Sequence, residues 1–142
     1  MMSKIWFQPY NIEEINVFFN KYLSGLLEIS ATEIDDNSIT ATMPVTDNVK
    51  QPHGILHGGA SVVLAESLGS IASNLVVDPD KYRGVGLEVN ANHIRPVSSG
   101  IITAKCSPIH IGRSTHIWEI KMYDRFDKLN CISRLTVAIV PK

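Results

Sequence analysis

The segment from Gln51 to Val76 places the strongest constraint on what this chain can fold into. It opens with Pro52 and three glycines and continues as a long apolar run without proline, which predicts a loop that enters a helix near Gly58 and Gly59. The predicted helix is rich in small residues and is apolar around most of its circumference. Such a helix should be buried on nearly all sides, so other elements must wrap around it.

One charged residue, Glu66, lies inside this apolar helix. At about 100° per residue, one narrow stripe of the helix carries Gly59, Glu66, Ser70 and Ser73. A carboxylate in such surroundings costs on the order of several kcal/mol to desolvate unless a partner compensates it. Because the rest of the stripe is small and neutral, we interpret it as the floor of a groove that carries one acid. The alternative is that Glu66 simply faces water.

Length and composition indicate one domain, residues 1–142, and exclude several classes of protein. With 13 basic and 14 acidic residues, the net charge of −1 gives no reason to expect a nucleic-acid partner or a membrane surface. No apolar stretch reaches the roughly 20 residues that span a bilayer. The first residues, 1–10, lack the layout of a secretory signal, which predicts a cytoplasmic protein.

The two cysteines and five histidines have no spacing that is typical of a metal site, so we expect neither a metal nor a cofactor. A disulfide between Cys106 and Cys131 is possible, but two reduced thiols in a hydrophobic core are the prediction for a cytoplasmic chain.

The rest of the chain predicts an α+β domain. A helix is expected over residues 11–23, where Asn11 and Glu14 can form a capping box and apolar residues recur at helical spacing. A hairpin should follow, with strands over 27–34 and 39–43. Four more strands are expected over 84–94, 101–109, 115–123 and 129–140, and their short connections favour antiparallel pairing. About six strands in one strongly curved sheet would then wrap the long helix.

Alternation in two of these strands predicts which side chains share a face. In the first of the four, Val85, Leu87, Val89 and Ala91 should share a face. In the third, one face should carry His116, Trp118, Ile120 and Met122.

Three stretches of the chain resemble one family of enzymes. The string Gln51-Pro52-x-Gly54-x-x-His57-Gly58-Gly59-Ala60, followed by Glu66, is similar to the hotdog-fold acyl-CoA thioesterases. Two further segments, Gly86 to Arg95 and Ser133 to Thr136, resemble the branch that hydrolyses aromatic acyl-CoA. The resemblance covers residues 20–140 and implies a hotdog fold with an acyl-CoA substrate. Within that branch it favours 1,4-dihydroxy-2-naphthoyl-CoA, a thioester of menaquinone and phylloquinone biosynthesis.

The resemblance also implies roles for individual residues. Glu66 corresponds to the catalytic carboxylate, which either attacks the thioester carbonyl or activates a water molecule. The backbone N–H of Gly58 would polarise the carbonyl, helped by Gln51 and His57. Ser70 could orient the carboxylate or the water, although a residue chosen for tight packing explains it equally well.

Coenzyme A is part of the substrate, and its phosphates need cationic partners. The matched segments make His93 and Arg95 candidates for that contact, and Gly59 leaves room for close approach to the helix. Arg113 and Ser114 lie in a tight turn whose amides can also bind phosphate oxygens. Each of these charges could equally be a solvated strand end.

In the resembling family two chains complete each active site. The resemblance therefore implies a homodimer, or a homotetramer built from two dimers, in which Glu66 faces Gly58 and His57 of the partner chain.

Other functions remain open at this point. A broad-specificity or proofreading thioesterase for phenylacetyl- or hydroxybenzoyl-CoA differs only in its acyl pocket. A non-catalytic acyl-CoA-binding module would need no acid at position 66 and would carry a regulatory segment, for which 142 residues leave little space. A hotdog hydratase would need a histidine and a carboxylate arranged for proton abstraction.

Overall fold

The computed structural model describes residues 4–142, so the first three residues of the stretch searched for a targeting signal lie outside it. Two short helices open the chain, α1 (Ile12–Phe19) and α2 (Tyr22–Leu26), and a hairpin of β1 (Ser30–Ile34) and β2 (Ile39–Pro44) follows. After a 3₁₀ turn at Asp47–Val49 comes the long helix α3 (Gly58–Val76). Four strands complete the described chain: β3 (Tyr82–His93), β4 (Ile101–Ile111), β5 (Thr115–Tyr123) and β6 (Leu129–Pro141).

All six strands form one antiparallel sheet in the order β1-β2-β4-β5-β6-β3. The sheet packs against α3, in which every residue from Ala60 to Val76 is buried or half-buried. The predicted face of β5 is confirmed, because its alternate residues from His116 to Met122 are buried. The architecture is therefore the expected α+β arrangement of one long helix within a six-stranded antiparallel sheet.

The N-terminal helix is shorter than the sequence pattern predicted. The capping box of Asn11 and Glu14 is present, but α1 ends at Phe19. Tyr22, the first residue of α2, adopts a φ of 58°, which changes the chain direction between α1 and α2. The predicted strand residues 27–29 follow α2 outside any strand. Ile15 and Phe19 are buried as expected, whereas Phe18, Tyr22 and Leu23 are exposed.

The predicted face of β3 is also wrong over half its length. The register with β6 shifts between Gly86 and Glu88, so Leu87 occupies a bulge and the side-chain alternation reverses there. Val89 and Ala91 pack against the core, while Val85 and Leu87 are exposed. Periodicity cannot reveal an inserted residue, because the pattern on either side of a bulge is itself regular.

Both cysteines are buried free thiols, as predicted, and burial raises the pKa of each. By length and composition alone, the 19 residues of α3 are long and apolar enough to cross a membrane, contrary to the expectation that no stretch would be. Half of that stretch is buried against the rest of the fold, as in the core helix of a globular domain.

Candidate active site

The start of α3 is capped by its own entry residue. The Nδ1 atom of His57 accepts a hydrogen bond from the N–H of Gly59 at 2.8 Å. A neutral imidazole that accepts at Nδ1 carries its proton on Nε2, so His57 presents an N–H donor on the far side of its ring. His57 therefore caps α3 through Nδ1 and keeps Nε2 available for the role that the resemblance implies, which is to help polarise the carbonyl.

Capping of Gly59 leaves the preceding N–H available. Within residues 4–142 the backbone N–H of Gly58 has no hydrogen-bond acceptor. It lies at the positive end of a 19-residue helix, where partial positive charge accumulates. The N–H of Gly59, in contrast, donates its hydrogen bond to His57 and is not available to a substrate. Gly59 leaves space at the helix start because it has no side chain.

A cavity of about 340 Å³ opens beside this helix start, and we name it the Gly58 cavity. Among its lining residues are Gln51, Gly58, Ser61, His93, Arg95 and Asn130. The side-chain oxygen of Gln51 accepts a hydrogen bond from the backbone N–H of His53. The side-chain NH₂ group of Gln51 is therefore the end of the amide that remains free to donate. Four residues predicted from the sequence, Gln51, Gly58, His93 and Arg95, are therefore brought together.

Close approach at Gly58 depends on the absence of a side chain. A Cβ at this position would lie only 2.7 Å from Nε2 of His93. The imidazole of His93 therefore occupies the space above the first residue of α3, and any larger residue at position 58 would displace it.

Glu66 lies two turns further along α3, about 12 Å from Gly58 along the axis. Its side chain is half-buried, and no residue from 4 to 142 forms an ion pair or hydrogen bond with its carboxylate. Oε1 faces Gly86 of β3, where a Cβ would lie 3.1 Å away. One chain therefore holds the acid and the free N–H at separate places on the same helix.

The groove predicted along α3 is only partly open. Ser70, one turn after Glu66, is half-buried, and its backbone carbonyl oxygen accepts a hydrogen bond from the side-chain Nδ2 of Asn74 at 2.8 Å. Ser73 is fully buried and bonds to Trp118 and His116 of β5, so its assignment to the groove floor is wrong. The physical reason is the curvature of the sheet, which carries β3 across this part of the helix.

A second cavity, of about 490 Å³, is lined on α3 by Ile71, which lies five residues after Glu66. We name it the Ile71 cavity. Its walls are mainly apolar and include Tyr10, Phe18, Ile71, Leu75 and Tyr82. The exposed Phe18 of α1 is thus one wall of the Ile71 cavity. A larger cleft of about 880 Å³ lies near Trp6 and Asp35 and has no lining residue on α3.

Two predicted site residues lie elsewhere. Arg113 and Ser114 are exposed in the β4–β5 turn, and neither lines the Gly58 cavity. The register of β3, β5 and β6 places this turn at the opposite end of the sheet from His93, because Thr115 pairs with Ala138 whereas His93 pairs with Cys131. Within one chain, Arg113 and Ser114 therefore do not lie beside Arg95.

Two polar residues that line the Gly58 cavity were missed. Ser61 follows Gly58 at the next turn of α3, and Asn130 opens β6. Each is at least 97% buried. Asn130 lies between two apolar residues, Leu129 and Cys131, and a polar residue in that position was the signal available in the sequence.

The described residues, 4–142, hold no group of three or more His, Cys, Asp and Glu side chains placed to bind a metal ion. The groups described above are hydrogen-bond donors at the helix start and the carboxylate of Glu66. Donors at the helix start can stabilise an oxyanion on a carbonyl group. An unpaired carboxylate can attack that carbonyl or deprotonate water.

Comparison with known proteins agrees with this chemistry. Residues 53–131 match the model of the thioesterase superfamily. The 1,4-dihydroxy-2-naphthoyl-CoA hydrolase of Escherichia coli is 43% identical over 136 residues, covering 96% of this chain and 99% of that protein. The proofreading thioesterase EntH of Cronobacter turicensis is 41% identical over 136 residues, covering 96% and 98%.

A solved structure shows the same fold. The crystal structure of a glutamine-to-alanine mutant of a Pseudomonas aeruginosa thioesterase superposes with a TM-score of 0.95 at 50% sequence identity, and the match covers 97% of this chain and 99% of that one. The family match, the relatives and the shared fold together show that this chain belongs to the thioesterase superfamily, with a hotdog fold and the activity of a thioester hydrolase.

Proposed function

We propose that this enzyme hydrolyses aromatic acyl-CoA thioesters, most specifically 1,4-dihydroxy-2-naphthoyl-CoA. The observation that carries the proposal is the free N–H of Gly58 at the start of α3, beside the free amide of Gln51 and the Nε2 donor of His57. Gly58 and Gln51 both line the Gly58 cavity, where we place the thioester carbonyl, and the helix dipole adds to the effect of the Gly58 N–H on the developing negative charge.

Glu66 supplies the other half of the reaction by one of two routes. In the first, its carboxylate oxygen bonds to the thioester carbon, the carbon–sulfur bond breaks, and water then hydrolyses the resulting anhydride. In the second, Glu66 takes a proton from water, whose oxygen attacks the same carbon. In both routes the coenzyme A thiolate leaves and is protonated, and neither needs a cofactor. Rapid-quench mass spectrometry distinguishes them, because only the first leaves an acyl group on Glu66.

The Gly58 donor and the Glu66 carboxylate can act on one thioester only if two chains share the site. Gly58 and Glu66 of one chain are about 12 Å apart along α3, too far for one thioester carbon to contact both groups. Strand β3 is an edge of the sheet, 12 residues long, with exposed Val85 and Leu87. An unpaired edge of this length favours pairing with a second chain. A homodimer, or a tetramer of two dimers, would let Glu66 face the Gly58 cavity of its partner.

The coenzyme A portion needs contacts beyond the thioester. Exposed His93 and Arg95 at the Gly58 cavity suit its phosphates, because a guanidinium binds phosphate oxygens bidentately. Arg113 and Ser114 are remote from the Gly58 cavity of their own chain. They would bind the same coenzyme A only if they came from the partner subunit. Buried free thiols at Cys106 and Cys131 fit the reducing cytoplasm, where we place the enzyme.

The acyl group is assigned to the Ile71 cavity. Its mainly apolar walls and volume of about 490 Å³ suit an aromatic ring system. The relatives' names divide between a naphthoyl-CoA hydrolase and a proofreading thioesterase, so the alternative is a broad-specificity enzyme for one-ring substrates such as hydroxybenzoyl-CoA. Replacement of Ile71 by phenylalanine should shrink the cavity and lower kcat/KM for a two-ring substrate more than for a one-ring substrate. Equal losses would favour the alternative.

Thiol release from a panel of aryl- and fatty acyl-CoA esters tests the activity. We expect fast release with 1,4-dihydroxy-2-naphthoyl-CoA, and a loss of about 10³-fold in kcat for Glu66→Gln. Glu33→Gln, an exposed glutamate on β1, is the matched control and should retain full activity. Tight binding without release by the wild type would instead identify an acyl-CoA-binding module.

A further inference from the structure

Asn130 holds an unused hydrogen-bond acceptor inside the proposed active site. Its side chain is 3% exposed, and its Oδ1 is the one buried side-chain N or O atom in residues 4–142 that has no hydrogen-bond partner. A buried acceptor without a donor is unfavourable, so polar groups in this state are usually satisfied by a ligand or by water. The position of the residue is fixed, because its backbone carbonyl accepts from the N–H groups of Ile94 and Arg95.

The residue that carries this unpaired acceptor lines the same cavity as Gly58, whose N–H is free. Asn130, Gly58 and Ser61 all line the Gly58 cavity. Ser61 is 1% exposed, and its hydroxyl group can both donate and accept. Two residues that line this cavity therefore carry an unpaired carbonyl acceptor and a hydroxyl group, near the place where the thioester carbonyl is proposed to bind.

A coenzyme A thioester carries a matching group near its sulfur. Two methylene groups separate the sulfur from the first amide of the pantetheine arm, so a carbonyl held at Gly58 places that amide within the same cavity. A secondary amide has one N–H donor and one carbonyl acceptor. Asn130 Oδ1 complements the donor, and the Ser61 hydroxyl complements the acceptor.

We propose that Asn130 is a substrate-binding residue whose side-chain oxygen accepts a hydrogen bond from the pantetheine amide N–H nearest the thioester. This inference rests on the proposed thioesterase function. This hydrogen bond explains why a polar side chain is kept at a buried position of β6. The same bond orients the pantetheine arm toward Arg95, which is exposed at the cavity and can bind the phosphates. Asn130 thereby selects the leaving group rather than the acyl group.

Two model thioesters test the hydrogen bond directly. S-(2-acetamidoethyl) thiobenzoate contains the amide N–H, and S-(2-acetoxyethyl) thiobenzoate replaces that N–H by an ester oxygen. We expect wild-type kcat/KM to be about tenfold higher for the amide, because the ester leaves Asn130 unpaired. Asn130→Leu should hydrolyse both compounds at similar rates, and Asn130→Asp, which keeps an acceptor oxygen, should retain the preference. For benzoyl-CoA, Asn130→Leu should raise KM about tenfold and change kcat less than twofold.

The controls separate this inference from the proposed function. Asn48→Leu replaces an exposed asparagine that lines none of the cavities described here, and it should behave as wild type on both compounds. A wild-type enzyme that hydrolyses both model thioesters equally, or an Asn130→Leu variant that keeps both the amide preference and the benzoyl-CoA KM, would overturn the role of Asn130 while leaving thioesterase activity intact. Failure of the wild type to hydrolyse any acyl-CoA would overturn the proposed function itself.

Discussion

Gly58 and Glu66 lie on the same helix, two turns and about 12 Å apart along its axis, and the side chain of Glu66 contacts Gly86 rather than the helix start. The hydrogen-bond donors and the acid of one chain therefore cannot act on the same carbonyl group. The first prediction follows from this separation.

Two inactive variants should restore activity when they are combined. Gln51→Ala removes a donor and Glu66→Gln removes the acid, so each homodimer should be nearly inactive. In a mixed dimer one site contains both mutations and the other contains neither, so denaturing and refolding an equal mixture should recover about one quarter of wild-type activity. The assay is thiol release from benzoyl-CoA after co-refolding. Activity that stays at the level of the separate variants would contradict a site shared between chains.

Gly86→Ala should impair catalysis more than stability. The added Cβ would lie 3.1 Å from Glu66 Oε1, so the carboxylate must move by a few tenths of an ångström. Because displacement of a catalytic group by about 1 Å can cost 10²-fold, we expect kcat to fall about tenfold or more. Urea denaturation should show a loss of less than about 1 kcal/mol, typical of a tolerated substitution.

Gly84→Ala, on the same strand, is the matched control for Gly86→Ala. Its Cβ would lie 3.0 Å from Val137 and 3.2 Å from Ser73, both in the core and away from the acid. Overpacking of this kind costs about 1–3 kcal/mol. We expect a clear loss of stability with kcat close to wild type. The opposite ranking of the two variants would contradict the assignment of Gly86 to the acid.

Two substitutions of His57 should separate capping from catalysis. His57→Ala removes the acceptor for the Gly59 N–H and should cost about 1 kcal/mol of stability. Asparagine is a preferred N-cap residue, so His57→Asn should retain most of that stability. Both variants lack the Nε2 donor and should lower kcat at least about 10²-fold. If His57→Asn keeps wild-type turnover, the histidine serves only as a cap.

The buried pair of His116 and Ser73 should make stability fall in mild acid. Nδ1 of His116 lies 3.0 Å from Ser73 Oγ, which accepts from Trp118 Nε1 at 2.7 Å. Burial lowers the pKa of His116 from its ordinary value of 6.5, a hydrogen bond with the backbone of Gly112 partly offsets this, and the nearby charge of His110 lowers it further. The unfolded chain therefore binds a proton below pH 6.5 that the folded chain does not bind.

This linkage has a definite sign. The stabilisation is complete above pH 6.5 and is lost as the pH falls from there toward the lowered pKa of the folded state, by at most about 1.4 kcal/mol per pH unit. Urea denaturation at pH 7.5 and pH 5.0 measures the loss. His116→Gln has no titrating group at this position, so its stability should decline less over the same interval. Parallel declines in the two proteins would show that other groups set the acid sensitivity.

Much of the candidate site follows from local sequence. Pro52, the glycines and the apolar run after them determine where α3 starts, because chain stiffness and helix capping act within a few residues. His57 is the cap and Gly58 is the first residue of the helix for the same local reason. The six strands were also predictable, since alternating side chains and short turns are local signals.

Tertiary structure decided what distant residues do together. The bulge at Leu87 reversed a predicted face, curvature of the sheet closed the groove at Ser73, and pairing of β3 with β6 brought Asn130 to the cavity of Gly58. The same pairing placed Arg113 at the far end of the sheet from His93. The sequence alone determined where α3 starts and that Glu66 lies within it, because these depend on neighbours along the chain. The strand register and the sheet curvature depend on how all six strands pack around α3. No local sequence pattern encodes this packing.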